Sequence, residues 1–280
     1  MTGPRMRQSI GRTAATLALA LCSHHSAAAA DLNAREVTER LFGATAGAPL
    51  DFARLNLRDL DLSGVDFKGA SLEGADLFGT DLSGADLSKA QLQGAQLDRS
   101  ITIGTRFAGA KLAGASLLRP TTFSTLDGAP SEAMNFAGAD LSGAKIFGRF
   151  NFANFSGANL AGARLAPFNH TGFIEHLWRT EMVSANLSAA NLSGADLSYV
   201  KFRFANLRGS NLSGANLTNA DLAYADLTGA DLTQATMTDA ELDSVILTDV
   251  KGLETVIGLK SPRESAKSDR SGQKPRVTWD

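Results

Sequence analysis

Apolar and polar residues recur with a period of five from Leu50 to Asp249. The repeating unit is Ala-(Asp/Asn)-Leu-(Ser/Thr)-Gly, and it is nearly complete at 75–79, 85–89 and 215–219. This period differs from the 3.6 residues of an α-helix and from the two residues of a β-strand. A short fixed repeat predicts a solenoid, in which each unit is stable only when it is stacked on its neighbours.

Each unit places one large and one small apolar residue where they can face inward. The large central residue is usually Leu or Phe, and the residue two positions before it is usually Ala. Gly often stands two positions after the centre, which predicts a tight corner because Gly turns at low steric cost. Thr102 is the polar exception among the centres from Phe52 to Leu117, and we expect a local distortion there.

These repeats resemble those of the pentapeptide-repeat family from Leu50 to Asp249. The resemblance implies an all-β fold, a right-handed parallel β-helix with four sides and four pentapeptides per coil. About 35 units would then give about nine coils and a rod about 40 Å long at strand spacing. The backbone groups of each coil would pair with the coils above and below it.

The two ends of such a rod need caps, because open coil edges invite polymerisation. Residues 31–49 are expected to form a capping helix and a linker. Asp31 or Asn33 would cap that helix at its N-terminus. The apolar residues expected to cover the first coil are Leu32, Val37, Leu41 and Phe42.

At the C-terminal end, residues 250–260 are expected to form a second cap. A homodimer contact through the same end is an equal alternative, because the apolar residues suit both. These residues are Val250, Leu253, Val256, Ile257 and Leu259. Residues 261–280 are polar, mixed in charge and contain two prolines, so we expect a disordered tail.

Residues 1–30 have the pattern of a secretory signal peptide. Three arginines precede a short apolar run, and Ala28-Ala29-Ala30 offers a cleavage site before Asp31. The run is too short to span a bilayer, so no transmembrane span is expected. The sequence therefore predicts a periplasmic or secreted protein. The alternative interpretation of residues 1–30 is a disordered Ala-rich leader. Lipid anchoring at Cys22 is a further alternative, although Leu21 is larger than lipoprotein signals favour.

The repeat is interrupted at 118–134 and at 166–181, and a one-residue slip falls between Ile146 and Phe150. Loops that leave a rigid solenoid are places where binding tends to occur. Alternatively, the many Phe residues of this region widen the core where the register slips. Phe150 and Phe155 occupy central positions and are core residues on that interpretation. The candidate partner-binding residues of the second interruption are Phe168, His170, Phe173, His176, Trp178 and Arg179.

A second candidate surface lies in the last run of repeats. Phe204 and Tyr224 occupy the corner position and are twenty residues apart, so they would stack on one outer column if a coil contains twenty residues. Tyr199 would lie on the neighbouring face. The alternatives are an aromatic ladder that stabilises the coils and a contact patch for a partner.

The sequence contains none of the patterns expected of an enzyme. A nucleophile elbow, a phosphate loop and a dinucleotide fingerprint are all absent, so no cofactor is expected. The recurring Asp and Asn residues follow the repeat and are expected to be solvated. His170, Glu175 and His176 are a weak metal-ligand set, because their spacing matches no known motif. No metal site is therefore expected.

The sequence predicts a non-enzymatic exported scaffold that binds an unidentified protein or a cell-envelope component. Some pentapeptide-repeat proteins resemble duplex DNA in size and charge and bind type II topoisomerases, so a DNA mimic is the alternative. It is disfavoured by the export signal and by the neutral Asn residues that dominate the last run. Lys201 also interrupts the column that contains Asp221 and Glu241, so a continuous acidic stripe is missing. Metal-dependent activity at 166–181 is a further alternative. Nucleic-acid binding is not expected, because the chain has a net charge of -2.

Overall fold

The computed structural model describes residues 29–43, 50–67, 69–126, 128–167 and 179–259. Its elements are one α-helix, α1 (Ala34–Gly43), two short strands, β1 (Ser116–Leu118) and β2 (Lys145–Phe147), and two 3-10 turns (Pro130–Glu132 and Leu253–Thr255). Strands β1 and β2 pair in parallel. In most of the remaining described chain, one residue of each pentapeptide forms a parallel bridge to a neighbouring coil.

Four columns of parallel bridges hold the coils together. Asp51, Asn56, Asp61 and Asp66 each bridge to the residue twenty positions later. We name the columns first to fourth in that order. One coil therefore contains four pentapeptides, as the resemblance implied. Many backbone N–H groups donate to carbonyl oxygens of a neighbouring coil, as in the 2.8 Å bond from the Leu57 N–H to the carbonyl oxygen of Asp76.

The central residues of the repeats fill the interior of the rod. The centres and the Ala residues two positions before them are almost all fully buried. Phe107, Phe136 and Phe155 stack in successive coils, with ring centroids 4.9 and 4.7 Å apart and nearly parallel planes. Phe150 is also fully buried, which confirms the prediction that the centrally placed Phe residues belong to the core.

The corners of the coils require a left-handed backbone. Gly194 and Ala189 occupy corners with φ of 62° and 56°. Glycine adopts this region at no steric cost, whereas an L residue with a Cβ pays about 1–2 kcal/mol. Sixteen residues other than Gly adopt positive φ in the described part of the chain. The corner is therefore imposed by the coil geometry, and Gly is only its cheapest occupant.

The recurring Asp and Asn residues have a structural role that the sequence analysis missed. Their side-chain oxygens accept hydrogen bonds from the backbone N–H two residues later, as Asn191 does from Ser193 at 3.2 Å. This bond closes a local turn before each corner. In the fourth column, amide side chains also form a ladder between coils. Its members are Asn135, Asn154, Asn186 and Asn206.

The bridge partners show where the ladder changes register. Ile101 still bridges to Thr121, but Arg106 bridges to Asn135, 29 residues later instead of 20. The additional residues therefore lie after Thr121 and before Asn135. The bridge sites Lys145 and Arg149 are four residues apart, which confirms the one-residue slip.

The expected distortion at Thr102 is wrong. Its coil keeps the regular turn pattern, and Ile101 bridges both the preceding and the following coil at the normal interval. Thr102 is fully buried, and its hydroxyl lies 3.4 Å from the carbonyl oxygen of Thr121. This contact satisfies the polar group inside the channel, so the irregular segment begins only one coil later.

Helix α1 caps the N-terminal end of the rod. Asn33 is its N-cap: the side-chain oxygen of Asn33 accepts from the Glu36 N–H at 2.9 Å, and Glu36 accepts from the Asn33 N–H at 2.7 Å. Val37 is fully buried, and Leu32 and Leu41 pack against the core, as expected. Phe42 is 91% exposed, so its predicted role in covering the first coil is wrong.

The C-terminal end is only partly covered. The bridge ladder continues beyond the last Leu centre, because Thr236 still pairs with Ile257. Val250, Leu253 and Val256 pack against the core as a cap would. Ile257 is exposed and therefore does not contribute to that cap.

Replacing a corner Gly should test the backbone requirement directly. No other atom lies within 4 Å of a Cβ added at Gly194, so Gly194→Ala introduces only backbone strain. We expect it to lower the free energy of unfolding by about 1 kcal/mol in urea titrations. Ala189→Gly, at the next corner back, is the matched control and should not destabilise. Equal stability of Gly194→Ala and wild type would contradict this account.

The Asp turns should make stability depend on pH. Hydrogen bonds from the Thr233 hydroxyl and N–H lower the pKa of Asp231 below its ordinary value of 3.8. A lowered folded-state pKa stabilises the folded chain above pH 3.8, and this contribution is lost as the pH falls further. Asp231→Asn keeps the acceptor but removes the charge. Its unfolding free energy should therefore fall less between pH 5 and pH 3 than that of wild type.

Asp231→Ala is the control for the turn itself. It removes the acceptor of both Thr233 bonds, so we expect a loss of about 0.5–1.5 kcal/mol near neutral pH. Denaturant titrations at several pH values measure both effects. A pH profile for Asp231→Asn identical to that of wild type would refute the contribution of this carboxylate.

Candidate functional site

One column of corners on the rod differs from the others in its side chains. We call its C-terminal part the aromatic column. Backbone hydrogen bonds between coils define its order, because each corner N–H bonds to the coil above. Its members, in order along the rod, are Phe152, Ser184, Phe204, Tyr224 and Ser244. In the early coils, Gly64, Gly84 and Gly104 occupy the equivalent corners.

Phe204 and Tyr224 form a stacked and exposed pair. Their ring centroids are 5.0 Å apart with an angle of 12° between the planes. The two residues are 55% and 48% exposed. The predicted stacking on one outer column is therefore confirmed. The pair is a rigid aromatic surface in a rod whose other corners carry mainly Gly and small polar residues.

Cationic side chains border this surface. The Arg203 guanidinium carbon lies 5.8 Å from the Phe204 centroid and 5.6 Å from the Tyr224 centroid. Arg203 also pairs with Asp221 at 3.3 Å. Tyr199 lies at a corner that follows the second column, on the neighbouring face, where Arg179 approaches its ring to 5.8 Å. These distances are in the range of cation–π contacts.

The bridge sites of the third column lie beside the aromatic column, and they alternate in charge from Arg149 to Asp221. Glu181 lies 2.8 Å from Lys201 and 3.6 Å from Arg149. Lys201 bridges to Asp221, and Asp221 bridges to Glu241. The cations therefore divide the carboxylates of this column, and no continuous acidic stripe runs along it. This is the arrangement that the sequence predicted for Lys201.

Most of the predicted loop site cannot be compared with the structure. Phe168, His170, Phe173, His176 and Trp178 lie outside the described residues, as does Glu175 of the weak metal-ligand set. Arg179 is the one member of the loop set that is described, and it contacts Tyr199. Within the described ranges, no group of three or more His, Cys, Asp or Glu residues could hold a metal ion.

The structure adds residues that the sequence analysis did not connect with the aromatic pair. Phe152 and Ser184 belong to the same column, and Arg203 borders it. Phe152 and Ser184 are 32 residues apart, so counting in steps of twenty does not align them. The corner position of each residue in its own repeat was the available signal.

A cavity of about 450 Å³ lies at the N-terminal end, beside helix α1. Its lining includes the apolar residues Leu41, Phe42, Leu50 and Val65 and the polar residues Thr38, Ser63 and Asp66. The cavity therefore has a mixed lining, with one acidic residue and two hydroxyl side chains among apolar residues. No helix in the described part of the chain is long and apolar enough to cross a membrane.

Solved structures with similar repeats were found by comparison. HetL, from the cyanobacterium Nostoc sp. PCC 7120, is 27% identical, with coverage of 82% of this chain and all of HetL and a TM-score of 0.32. QnrB1, a plasmid-mediated fluoroquinolone resistance protein, is 23% identical over 78% of this chain and all of QnrB1, with a TM-score of 0.36. Both TM-scores are low, so these structures support no functional argument. None of the curated proteins compared with the chain matches it.

The family assignment rests on the repeats themselves. The family model described as pentapeptide repeats matches in eight copies, over residues 56–90, 90–119, 179–214 and 210–249. Where both bridge partners lie within one of these ranges, they are twenty residues apart, as Asn56 and Asp76 are. The chain therefore belongs to the pentapeptide-repeat family, whose fold is the right-handed β-helix.

Proposed function

We propose that this chain is an exported, non-enzymatic scaffold that binds a protein partner through its aromatic column. The observation that carries the proposal is the exposed Phe204–Tyr224 stack. Aromatic residues and Arg are enriched at the centres of protein interfaces. Aromatic side chains bury a large area with few rotatable bonds, and Arg adds a planar group with five hydrogen-bond donors. Phe204, Tyr224 and Arg203 supply this combination on one rigid surface.

The rigidity of the pair favours binding. Each ring is held by its neighbour in the stack and by a corner whose φ is fixed near +60°. Side chains that are already ordered lose little conformational entropy when a partner covers them. The roughly half-exposed rings still offer apolar area that becomes buried on association.

The polar groups of the rod support a binding role instead of catalysis. The repeated carboxylates and amides accept backbone hydrogen bonds at the turns, as Asp221 does from Ala223 at 3.1 Å. Acid–base catalysis needs a titratable group that is free to exchange a proton with a substrate in a cleft. These groups are instead distributed along regular columns.

The proposal includes a particular form for the scaffold. Each bridge column would form one face of a four-sided rod spanning 50–249, and the interruptions 118–134 and 166–181 would be loops displayed on it. Support comes from the four bridges per coil and from the intervals of 29 and 32 residues at the interruptions. Loops on a rigid frame are suited to partner recognition.

The export proposal rests on the leader sequence, and the contacts of Asp31, the first residue after the predicted cleavage site, are compatible with it. Cleavage there would remove the 3.1 Å hydrogen bond that the Asn56 side-chain amide donates to the carbonyl oxygen of Ala29. The Asp31 N–H donates to the carbonyl oxygen of Asn56 at 2.7 Å, and its carboxylate accepts from the Asn56 N–H at 2.6 Å. A chain that begins at Asp31 would keep both contacts with the first coil. We propose a periplasmic or secreted location, with a lipid anchor at Cys22 as the alternative.

A homodimer through the C-terminal end is part of the same proposal. Ile246 and Ile257 are exposed at that end, beside the partly buried Leu247 and Val256. An apolar end surface favours burial against a second copy. Such a dimer would leave the aromatic column of both copies open to partners.

The DNA-mimic alternative has one observation in its favour. Residues 209–250 contain seven carboxylates and no Lys, Arg or His. However, Lys201 and Arg149 divide the carboxylates of the third column, and the fourth column carries a neutral Asn ladder. The regular acidic stripe expected of a duplex mimic is therefore weakly supported, and the scaffold is the favoured function.

Site-specific photo-cross-linking should test partner binding. A photoreactive phenylalanine analogue at Tyr224 keeps an aromatic ring at the exposed corner. In cells of the organism that carries the gene, we expect it to yield a covalent adduct with a second protein. The control is the same analogue at Asp249, which also occupies a left-handed corner but on another column. Adducts of equal yield at both corners, or none at Tyr224, would refute the site.

Intact mass should test the location. Expression of the full gene followed by cell fractionation should give a soluble envelope species that begins at Asp31. A species with a lipid-sized added mass that begins at Cys22 would replace this with a membrane-tethered scaffold. An unprocessed cytoplasmic chain would refute export and would favour the DNA-mimic alternative instead.

A further inference from the structure

The aromatic column contains a gap with an aromatic residue on each side. Phe152 N–H bonds to Val183, Ser184 N–H bonds to Arg203, and Phe204 N–H bonds to Ala223. Phe152, Ser184 and Phe204 are therefore corners of three successive coils. Ser184 is exposed, so its small side chain leaves space between the two aromatic positions.

The size of this gap follows from the spacing of the coils. Phe204 and Tyr224, one coil apart, place their ring centroids 5.0 Å from each other. Phe152 and Phe204 are two coils apart, which corresponds to about 9–10 Å along the rod. A planar ring at the level of Ser184 would therefore be about as far from the Phe152 and Phe204 rings as the Tyr224 ring is from the Phe204 ring.

The backbone directs the side chains of the column alike. Phe152, Phe204 and Tyr224 have φ of 60°, 57° and 60°, so their Cα–Cβ bonds leave the corner in the same direction. Bulky residues at positive φ are uncommon, because this backbone conformation is strained when the residue has a large side chain. Within the described residues, every aromatic corner lies after residue 150. Strained residues of this kind concentrate where they serve binding.

We propose that the gap at Ser184 is a binding slot for one aromatic side chain of a protein partner. The inserted ring would stack between Phe152 and Phe204 and complete a row of four rings that ends at Tyr224. This inference rests on the proposed scaffold function and specifies the group that the partner contributes. Aromatic pairs of this kind are stabilised beyond the contribution of the apolar area that they bury.

The residues around the slot favour an uncharged planar group. Val183 precedes Ser184 and presents an apolar side chain that is partly exposed. The nearby charged groups each have an ionic partner: Glu181 pairs with Arg149 and Lys201, and Arg203 pairs with Asp221. An anionic or cationic ligand would have to compete with these pairs, whereas a neutral ring would not. Sugar rings also stack on aromatic faces, so a glycan is an outcome that the experiment must separate.

A small soluble probe can report on the slot. We would titrate the full chain with N-acetyltryptophanamide and follow backbone amide signals by NMR. We expect saturable shifts of the Val183, Ser184 and Phe204 amides, without shifts at the fourth-column corners Gly157 and Gly209. N-acetylleucinamide, which has no ring, should leave all these signals unchanged.

Two variants make the test specific. Ser184→Phe places a ring from the chain itself in the slot, and we expect it to abolish the probe-induced shifts. Ala189→Phe is the matched control, because Ala189 occupies the next left-handed corner, in the fourth column, with Gly157 and Gly209 before and after it. It should keep the shifts. Ser184→Phe should also melt at a higher temperature than Ala189→Phe, because only its ring gains two stacking neighbours.

Three results would overturn the slot. The shifts could persist in Ser184→Phe, they could be absent in wild type, or they could arise with N,N′-diacetylchitobiose and not with the aromatic probe. The last result would assign the slot to a glycan. Photo-cross-linking from Tyr224 separates this inference from the proposed function. A protein adduct that forms equally well in Ser184→Phe would leave the scaffold function standing and remove the slot.

Discussion

The structure depends on one constraint. Each coil must hydrogen-bond to the next coil so that equivalent positions of the pentapeptide are aligned. Bridges and N–H to carbonyl bonds connect equivalent positions from coil to coil. Every position in the unit therefore generates a column at strand spacing. Central residues stack on central residues, corners on corners, and turn-closing amides on turn-closing amides. The core, the Asn ladder and the aromatic column are three products of this single rule.

The function of each column follows from the direction it faces. Inward columns consist mainly of Leu, Phe and Ala, with a few other buried residues such as Thr102 and Met182, because the channel is narrow and filled. Outward columns need only close a turn or tolerate a left-handed corner, so their side chains are free to vary. A surface with specific chemistry can therefore appear on one column without altering the core. Phe204 and Tyr224 are such a departure from the small residues at most corners.

Much of the fold was predictable from the sequence, and the misses have physical causes. The five-residue period gave the coil, the buried centres and the alignment of Phe204 with Tyr224. The expectation that Thr102 disturbs its coil was based on hydropathy alone. Hydropathy does not take into account the carbonyl oxygen of Thr121, which accepts a hydrogen bond from the Thr102 hydroxyl. The orientation of Phe42 depends on how helix α1 sits on the first coil, and the pattern of apolar residues does not specify it.

The candidate site was less predictable for a different reason. Phe152 and Ser184 are neighbours in space, but the interruption between them removes the regular interval that sequence counting requires. The sequence did not reveal that Asp and Asn close the turns. The same repeat pattern is expected whether these side chains face solvent or accept hydrogen bonds from the turn backbone. Position within the unit is therefore more informative than distance along the chain wherever an interruption intervenes.

The coil of four units has a consequence for how such a chain can change in length. Duplication of twenty residues adds one coil and leaves every later residue on its own column. Duplication of a single pentapeptide preserves the core but moves every later residue to the next column. All surfaces that span the insertion would then be taken apart, although the protein would still fold. The shape of this rod can thus survive many length changes that its recognition surfaces cannot.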